Sequence, residues 1–456
     1  MSKQKKRLEQ MAIVHPNAGG LDIGAAEIWA CVPPDREGET VKKFGTFTPD
    51  LNRLADWLLE HEVDTVAMES TGVYWIPCFE ILEGRGIAVH LVNAQHIKRV
   101  PGRKSDFQDC QWIQKLHTLG LLTGSFRPDA EMCALRGYLR HRAQLIEHRS
   151  PHILHIQKAL DQMNIQLTQV LRDIMGGTGM AILRAIVAGE RDGLKLAQLR
   201  DPQCKFPEET FAKALTGTWK AEHLFALKQS LELYDFYTAQ IAACDDQIQQ
   251  QYSVMKPRWD SSSDSPVTPL PKRRRKKRNK NSPPLGVEDQ IIRITGVDLA
   301  AVGGIGASLA QTILSEIGTD MSKWPDDKHF TSWCGLAPHN DTSAGKVLRS
   351  RTLPTNNRAG QAFRQAAVAA SHGDSAFAAY YRRKKAQGGP MFAQVATAHK
   401  IARTVYYLLK NRVQYVELGA EGFEQKQRER DVAALRKKAA KFGFTLNSVE
   451  PVQAAV

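Results

Sequence analysis

The sequence predicts an α/β domain at its N-terminus, a long helical or coiled-coil middle and a mainly helical C-terminal domain. Short apolar runs of strand length alternate with helical patterns over the first 125 residues. Helical periodicity then dominates the sequence to about residue 252. A stretch rich in proline, serine and basic residues separates this middle from the last folded segment. These three observations define the predicted fold class.

The N-terminal elements follow one another in a recognisable order. Residues 21–32 have an extended pattern, and residues 63–68 and 87–92 are short apolar strands. Between the first two of these, Thr48 is predicted as the N-cap and Pro49 as the first residue of a helix. The apolar stripe of that helix consists of Leu51, Leu54, Ala55 and Leu58. Strand, hairpin, strand, helix, strand and helix is, by analogy, the succession of an RNase H-like fold.

Four carboxylates lie at the edges of these elements. Asp22 is on a predicted strand and Glu69 ends another, while Asp106 and Asp109 are three residues apart. A helix capped by Ser105 and running to about residue 122 would place the last two carboxylates on one face.

Carboxylates that converge repel one another unless cations lie between them. Mg²⁺ and Mn²⁺ are hard ions that prefer oxygen ligands, and a pair of them can organise phosphodiester chemistry. The four carboxylates therefore predict a site for two such ions. The alternative is that four acidic residues lie by chance on solvated edges.

The composition favours a nucleic-acid partner. The chain has 456 residues, enough for two or three domains, with a formal net charge of +14 and a sequence pI near 9.4. Soluble proteins with such an excess of cations usually bind polyanions.

Membrane insertion and export are not expected. No apolar run approaches the roughly 20 residues that a membrane-spanning helix needs, and Gly-rich sequence follows the basic residues 1–7 in place of a signal-peptide core. The seven cysteines are scattered, odd in number and without a Cys-x-x-Cys motif, which indicates reduced thiols and no zinc site. We therefore expect a cytoplasmic protein.

Long helices and a basic linker are predicted after the first domain. Residues 130–163 and 221–251 have helical periodicity and form either a coiled-coil arm or dimer interface, or a compact bundle. Residues 257–284 cannot bury enough apolar surface to fold alone. Their run of seven cations is either a solvated charge run or a phosphate-binding tether, and it begins with Lys272, Arg273, Arg274 and Arg275.

The last folded segment has two candidate phosphate-binding features. The turn at Gly304 and Gly306 enters a helix, so its backbone N–H groups either bind a phosphate or simply connect two helices. Arg358 and Arg364 flank an Ala-rich helix and either contact phosphates or are solvated.

Ser343 is a candidate nucleophile in a loop of small residues. Lys346, Arg349 and Arg351 follow it and could hold phosphates or stabilise an oxyanion. The Gly-x-Ser-x-Gly elbow of hydrolases is missing, and no nearby histidine has an evident role as a base. Taken alone, such a sequence is also common in ordinary turns.

Six motifs in order make the chain resemble the DEDD transposases of insertion sequences. They are residues 20–24, 68–75, 104–109, 304–306, 335–338 and 343–346. Three departures from the family pattern are visible: Ala344 replaces a common second glycine, the basic linker is long, and residues 424–441 form an extra charged helix.

The resemblance implies a RuvC-like domain followed by a transposase domain with a catalytic serine. In such enzymes Asp22, Glu69, Asp106 and Asp109 would bind the divalent ions, and Ser343 would form a covalent phosphoserine intermediate. A bridge RNA encoded by the element would pair with donor and target DNA. The carboxylates of one subunit would serve the serine of another, in a dimer or tetramer.

The resemblance also implies a bacterial, nucleoid-associated protein. The sequence patterns described above divide the chain into five segments, to which the resemblance gives names, and two other functions stay open. The division is a RuvC-like domain at 1–125, a helical region at 126–252, a disordered basic linker at 253–287, a transposase domain at 288–417 and a charged helical tail at 418–456. A RuvC-like junction nuclease would use the carboxylates and water without a covalent intermediate. A non-catalytic nucleic-acid-binding protein would need none of the acidic residues.

Overall fold

The computed structural model describes residues 11–70, 72–92, 106–122, 124–257, 280–352 and 355–446, with the backbone alone at 106–108. The chain forms two compact units, Met1–Arg127 and Pro128–Val456, here called the N-terminal and C-terminal units. The basic run that begins at Lys272 and the predicted cap Ser105 lie outside the described residues.

The N-terminal unit is a mixed α/β structure. Its strands are β1 (Ala18–Ile23), β2 (Glu27–Cys31), β3 (Val41–Gly45), β4 (Thr65–Glu69) and β5 (Ala88–Val92). Its described helices are α1 (Thr48–Glu60), α2 (Trp75–Gly84) and α3 (Asp106–Thr118). The predicted N-terminal strands and first helix are thus confirmed, with a short turn dividing the first extended run into β1 and β2.

The five strands form one sheet in the order β3-β2-β1-β4-β5. Strands β1, β2 and β3 are antiparallel neighbours, whereas β1, β4 and β5 run parallel. One face of the sheet packs α1 and α2 around buried side chains that include Leu21, Leu54, Met68 and Leu82. The other face packs α3, where Ile113 meets Ala67 and Val92.

Two helix boundaries differ from the prediction. Helix α1 begins at Thr48, and Phe47 is its N-cap because the Phe47 carbonyl accepts from the N–H groups of Asp50 (2.8 Å) and Leu51 (3.0 Å). The prediction of Thr48 as the cap was therefore wrong by one residue. Helix α3 ends at Thr118, four residues before the predicted end, because Gly120 adopts a left-handed φ of 65°.

The predicted long helical stretches are confirmed in the C-terminal unit. They are α4 (Ala130–Gln162) and α9 (Ala221–Val254), and the two helices pack along each other. Between them in sequence lie four short helices with a common core: α5 (Leu167–Val170), α6 (Gly177–Ala188), α7 (Gly193–Ala197) and α8 (Glu208–Ala214). This pairing is within one chain, so a coiled coil between subunits stays a prediction.

Parts of the stretch predicted as a disordered linker are ordered. Helix α9 continues to Val254. After the undescribed residues, Asn281 bonds to α4: its backbone oxygen accepts from Arg142 at 3.2 Å and its side-chain oxygen from Arg149 at 2.6 Å. Lys280 lies 2.8 Å from a carboxylate oxygen of Asp173. The predicted domain boundaries, at residues 126, 253, 288 and 418, stay a prediction.

The remainder of the C-terminal unit is helical except for one exposed hairpin. Its elements are α10 (Val287–Thr295), α11 (Ala307–Ile317), α12 (Asp327–Trp333), β6 (Pro338–Ser343), β7 (Lys346–Thr352), α13 (Arg358–Ser371), α14 (Ala376–Asn411) and α15 (Gly419–Lys441). Helix α14 is kinked at Gly388 and Gly389, which have non-helical backbone angles. Alanines and Phe363 of α13 are buried in its packing against α11 and α14.

Two further expectations can be compared with the structure. Across the ranges described above, no helix combines the length and apolar content required for a membrane crossing. All seven cysteines fall within those ranges, and none forms a disulfide.

Candidate carboxylate and serine sites

The sheet register brings Asp22 and Glu69 together. Leu21 pairs with Met68 in the parallel ladder between β1 and β4. Asp22 and Glu69 are the next residues on their strands, so their side chains lie side by side on one face of the sheet. Leu21 and Met68 are buried on the opposite face, and both carboxylates are half-buried.

Helix α3 adds Asp109 to the same face. Gly20, two residues before Asp22, shares the side-chain face of Asp22. Helix α3 lies directly on Gly20, because a Cβ atom there would collide with the carbonyl oxygen of Cys110 and lie 2.8 Å from Cα of Gln114. Asp109 therefore lies on the helix that covers this strand, and it is also half-buried.

Hydrogen bonds hold these elements in place. Gln114 of α3 donates from Nε2 to the carbonyl oxygen of Ala18 on β1 at 3.1 Å. After Glu69, both the backbone N–H and the hydroxyl of Ser70 donate to the carbonyl oxygen of Val92, at 3.0 and 3.1 Å. The end of β4 that carries Glu69 is thereby fixed to β5.

Two of the four predicted carboxylates, Asp22 and Glu69, thus share one face of the sheet, and the helix that carries Asp109 packs on that face. Asp106 is the first residue of α3, but its side chain is outside the described part. Among described side chains, no group of three or more His, Cys, Asp or Glu residues is placed to hold a metal ion. The donor chemistry nevertheless fits Mg²⁺ or Mn²⁺, because every side chain of the set offers carboxylate oxygens.

Ser343 is the last residue of β6, at the tip of the exposed hairpin. It pairs with Lys346 across a two-residue turn formed by Ala344 and Gly345, with φ angles of 47° and 77°. Two left-handed residues are the signature of a type I′ hairpin turn, whose twist matches that of the strands. The predicted loop of small residues is this turn, and it leaves the Ser343 residue exposed.

The cations predicted beside Ser343 line β7. Lys346 is opposite Ser343, and Arg349 and Arg351 pair across the hairpin with Asp341 and His339. Residues 346–351 are all exposed. The hairpin therefore presents a hydroxyl and three cations on its surface.

The Gly-rich turn has a packing role at Gly304. Its φ is 90°, and a Cβ atom there would lie 2.8 Å from Cβ of Ala370 on α13 and would collide with the carbonyl oxygen of Ala366. The need for a glycine at position 304 is therefore explained by the close packing of this turn against α13, as expected if the turn simply connects two helices. Gly306 caps α11, and a Cβ atom there would meet nothing within 4 Å, so phosphate binding at this helix end stays a prediction.

Arg358 and Arg364 have different environments. Arg364 donates to the carbonyl oxygen of Gly335 at 2.9 Å, a contact inside the fold. Arg358 is exposed in a polar cleft of about 430 Å³. The other residues of this cleft are Thr312, Asn356, Gln361, Ala362 and Gln365.

Most of this cleft was not predicted from the sequence. Five of its six lining residues lie in and just before α13, between positions 356 and 365, but Thr312 of α11 completes the cleft, and this pairing of two helices is not encoded in a local motif. The available signal was the spacing of Arg358, Gln361 and Gln365, which puts one guanidinium and two carboxamides on one side of an Ala-rich helix.

Comparisons with known proteins match both candidate sites. A family model for the DEDD transposase of IS110 matches residues 19–165, and a model described as the transposase IS116/IS110/IS902 family matches residues 298–382. The chain is 36% identical over 93 residues to the mini-circle putative transposase for IS117 of Streptomyces coelicolor. That alignment covers 20% of this chain and 22% of the relative, so it spans about a fifth of the relative's length.

The matched segments contain the carboxylate face and the serine hairpin. A mixed α/β unit with clustered acids, followed by a helical unit with an exposed serine, defines the class as a two-part transposase. More narrowly, the chain belongs to the IS110 family of DEDD transposases.

Proposed function

We propose that this chain is the recombinase of an insertion sequence, which cuts and rejoins DNA at specific sites. The observation that carries the proposal is the placement of Asp22 beside Glu69 on the face of the sheet covered by the helix that carries Asp109, within the residues matched by the DEDD transposase model. The net charge of +14 suits a DNA substrate.

The N-terminal unit has, in this proposal, an RNase H-like fold of the RuvC type. The strand order β3-β2-β1-β4-β5 supports this, with an antiparallel half and a parallel half meeting at β1. In this arrangement the acids on the two central strands are neighbours, and α3 supplies the others from above the sheet.

Two divalent ions, Mg²⁺ or Mn²⁺, would be held by Asp22, Glu69, Asp106 and Asp109. Once bound, they would stabilise the negative charge that develops on the attacked phosphate and the departing oxygen. The protein's contribution is to fix the carboxylates before the DNA arrives, through the strand register and the contact of α3 with Gly20. Preorganised charges of this kind cost no rearrangement during the reaction.

Ser343 would attack a DNA phosphodiester. Its Oγ would form a bond to phosphorus while the bond from phosphorus to one deoxyribose oxygen breaks, and the serine proton would end on the departing oxygen. The reverse reaction with the end of another strand would release Ser343 and join the DNA. The exposed hairpin supports this role, because its tip can enter a DNA groove and Lys346, Arg349 and Arg351 can contact flanking phosphates.

The partners in this proposal are donor DNA, target DNA and a bridge RNA encoded by the element. Base pairing with such an RNA would supply sequence specificity, so the protein would read mainly backbone and shape. Strand exchange requires several active sites held together, which a dimer or tetramer would provide. The cleft at Arg358 is suited to nucleic acid, since guanidinium and carboxamide groups bond to phosphates and base edges.

The test is covalent capture of DNA. The purified protein is incubated with Mg²⁺ and end-labelled DNA that carries the element's junction, with and without RNA from the flanking non-coding region. We expect label on the denatured wild-type protein and at least a 100-fold loss in Ser343→Ala and in Asp22→Asn, since each removes a group required at the reacting phosphate. Dependence on the added RNA would support guidance.

Matched controls separate chemistry from folding. Ser350→Ala removes a hydroxyl from the same hairpin, and Asp35→Asn removes an exposed carboxylate from the same unit; both should retain the adduct. DNA cleavage without an adduct would instead support a metal-dependent junction nuclease. Binding without cleavage under either condition would support a purely nucleic-acid-binding role.

A further inference from the structure

The C-terminal half of α15 forms a basic surface beyond the matched family segments, which end at residue 382. In the first half of the helix, acidic and basic residues are interspersed as far as Asp431. Residues 432–446 then contain no acidic residue and four cations: Arg436, Lys437, Lys438 and Lys441.

The first half of α15 is attached to α14. The ring of Phe423 contacts that of Tyr380 edge-on, with centroids 6.0 Å apart, and Lys400 Nζ lies 4.6 Å from the Phe423 ring centre. Asp431 pairs with Arg383 at 3.4 Å. Beyond this point the helix projects: from residue 433 to 446 every residue except Ala439 is exposed.

The protein itself does not account for all four cations. Lys438 and Lys441 lie in the last turn, where they favour the negative end of the helix dipole. Arg436 and Lys437 lie before that turn, and Lys437 and Lys441 repel each other at a spacing of four residues. Among the ion pairs between described residues, Asp431 of α15 pairs with Arg383, and none of these four cations takes part in a pair.

We propose that this half of α15, the basic helix end, binds the phosphate backbone of duplex DNA. The inference rests on the proposed function, since it assigns the recombinase an additional DNA contact. Four cations on a projecting helix without acids complement a polyanion. The contact is independent of sequence, because backbone phosphates are the same at every base pair.

The shape of the helix favours duplex DNA over other polyanions. An α-helix is about 10–12 Å wide with its side chains, and the major groove of B-DNA is about 12 Å wide. The major groove of an RNA duplex is too narrow and deep for it. A lipid surface would need a broad apolar face along the helix. In residues 433–441 of α15 the uncharged residues are four alanines and Leu435, while the exposed Phe442, Phe444 and Leu446 follow the end of the helix.

The experiment measures the salt dependence of DNA binding. The full chain and a variant with Arg436, Lys437, Lys438 and Lys441 all changed to Gln are titrated with a DNA duplex at several salt concentrations, without divalent ions. Each lost phosphate contact reduces the slope of log affinity against log salt by about 0.9. We expect the slope to fall by about 3 and the affinity to drop at least roughly 10-fold at 0.15 M salt.

The control changes four exposed cations between residues 158 and 213 to Gln. Lys158 and Lys213 lie in α4 and α8, and Arg172 and Lys205 lie in the connections between helices. The control variant carries the same net charge as the test variant and should retain most of the slope. Thermal unfolding of both variants checks that the fold is unchanged.

An unchanged slope in the Arg436 to Lys441 variant would overturn the proposal. The proposal would also be overturned if this variant lost binding only to structured RNA or only to vesicles of anionic lipid, each of which is titrated in parallel. No DNA strand is cut in this binding assay, so it does not depend on recombinase activity. If the proposed recombinase function were wrong, the covalent adduct test would show it and the salt dependence of binding would not.

Discussion

At the scale of single residues, His117 is a buried histidine whose hydrogen bond identifies the donor nitrogen of its ring. Its Nε2 lies 2.9 Å from Oγ1 of Thr65, and the same hydroxyl donates to the carbonyl oxygen of Ala88 at 3.0 Å. A hydroxyl has one proton, so Thr65 must accept from His117, whose Nε2 therefore carries a proton. The rings of His15 and His90 are centred 4.8 and 4.7 Å away.

This environment predicts a loss of stability in acid. Burial, with smaller contributions from positive charge on His90 and His15, lowers the pKa of His117 to about 3. In the unfolded chain the pKa returns to its ordinary value near 6.5. Between these values the unfolded state binds a proton that the folded state does not, so stability falls as pH decreases through this range.

The expected effect on the N-terminal unit is a decrease of about 2 kcal/mol in the free energy of unfolding from pH 7 to pH 5. Urea unfolding at the two pH values measures it. His117→Gln should make this decrease smaller, whereas His372→Gln, at an exposed position of the other unit, should leave it unchanged. An equal pH dependence in the wild type and His117→Gln would remove this histidine from the explanation.

At the scale of elements, the contact between α3 and β1 positions the carboxylates. The helix can approach the strand because Gly20 has no side chain. Gly20→Ala should push α3 away from β1, with a cost of about 1–3 kcal/mol from overpacking, and should misplace Asp109. We expect a lower midpoint in urea and a loss of DNA adduct larger than the stability change alone explains.

Gly84→Ala is the matched control for this substitution. Gly84 lies in α2 with a negative φ, and a Cβ atom there would meet nothing within 4 Å. Alanine in this helix should leave stability equal or higher by up to about 1 kcal/mol. If both variants had wild-type stability and activity, the close approach at Gly20 would not be what holds the site.

The strands that carry Asp22 and Glu69 were predictable because each is a short apolar run with a recognisable end. The first helix was also predictable, because its apolar residues recur at helical spacing. Its N-cap was not predictable, because a threonine before a proline has the sequence pattern of a cap even when the carbonyl of the residue before it accepts the first helical hydrogen bond. The hairpin was read as a loop because β6 and β7 are exposed on both faces and lack alternating apolar residues. The cleft at Arg358 depends on packing between helices, which a local pattern does not encode.

At the scale of the whole molecule, the two candidate chemical groups are in different units. The carboxylates lie before Arg127 and Ser343 lies after Pro128 in the two-unit division. The sequence predicted both sites but contains no information on which copies of the two units act together. From the resemblance to DEDD transposases, we propose that one subunit supplies the carboxylates of an active site and another supplies its serine.

Mixing two inactive variants tests this arrangement. Asp22→Asn subunits retain Ser343, and Ser343→Ala subunits retain the carboxylates. If each active site combines two subunits, half of randomly mixed dimers would contain one complete site, and adduct formation should return to roughly a quarter of the wild-type level. The measurement is labelled DNA retained on denatured protein after the subunits have been mixed and allowed to exchange.

The matched control mixes Asp22→Asn with Glu69→Gln, in which every carboxylate site is defective whichever subunits meet. That mixture should give no adduct. If the first mixture also gave none, while a tagged copy confirmed that mixed oligomers had formed, the carboxylates and the serine of one active site would have to belong to the same chain. A return of activity would mean that neither unit alone determines the reaction, because each active site would then be completed only by assembly.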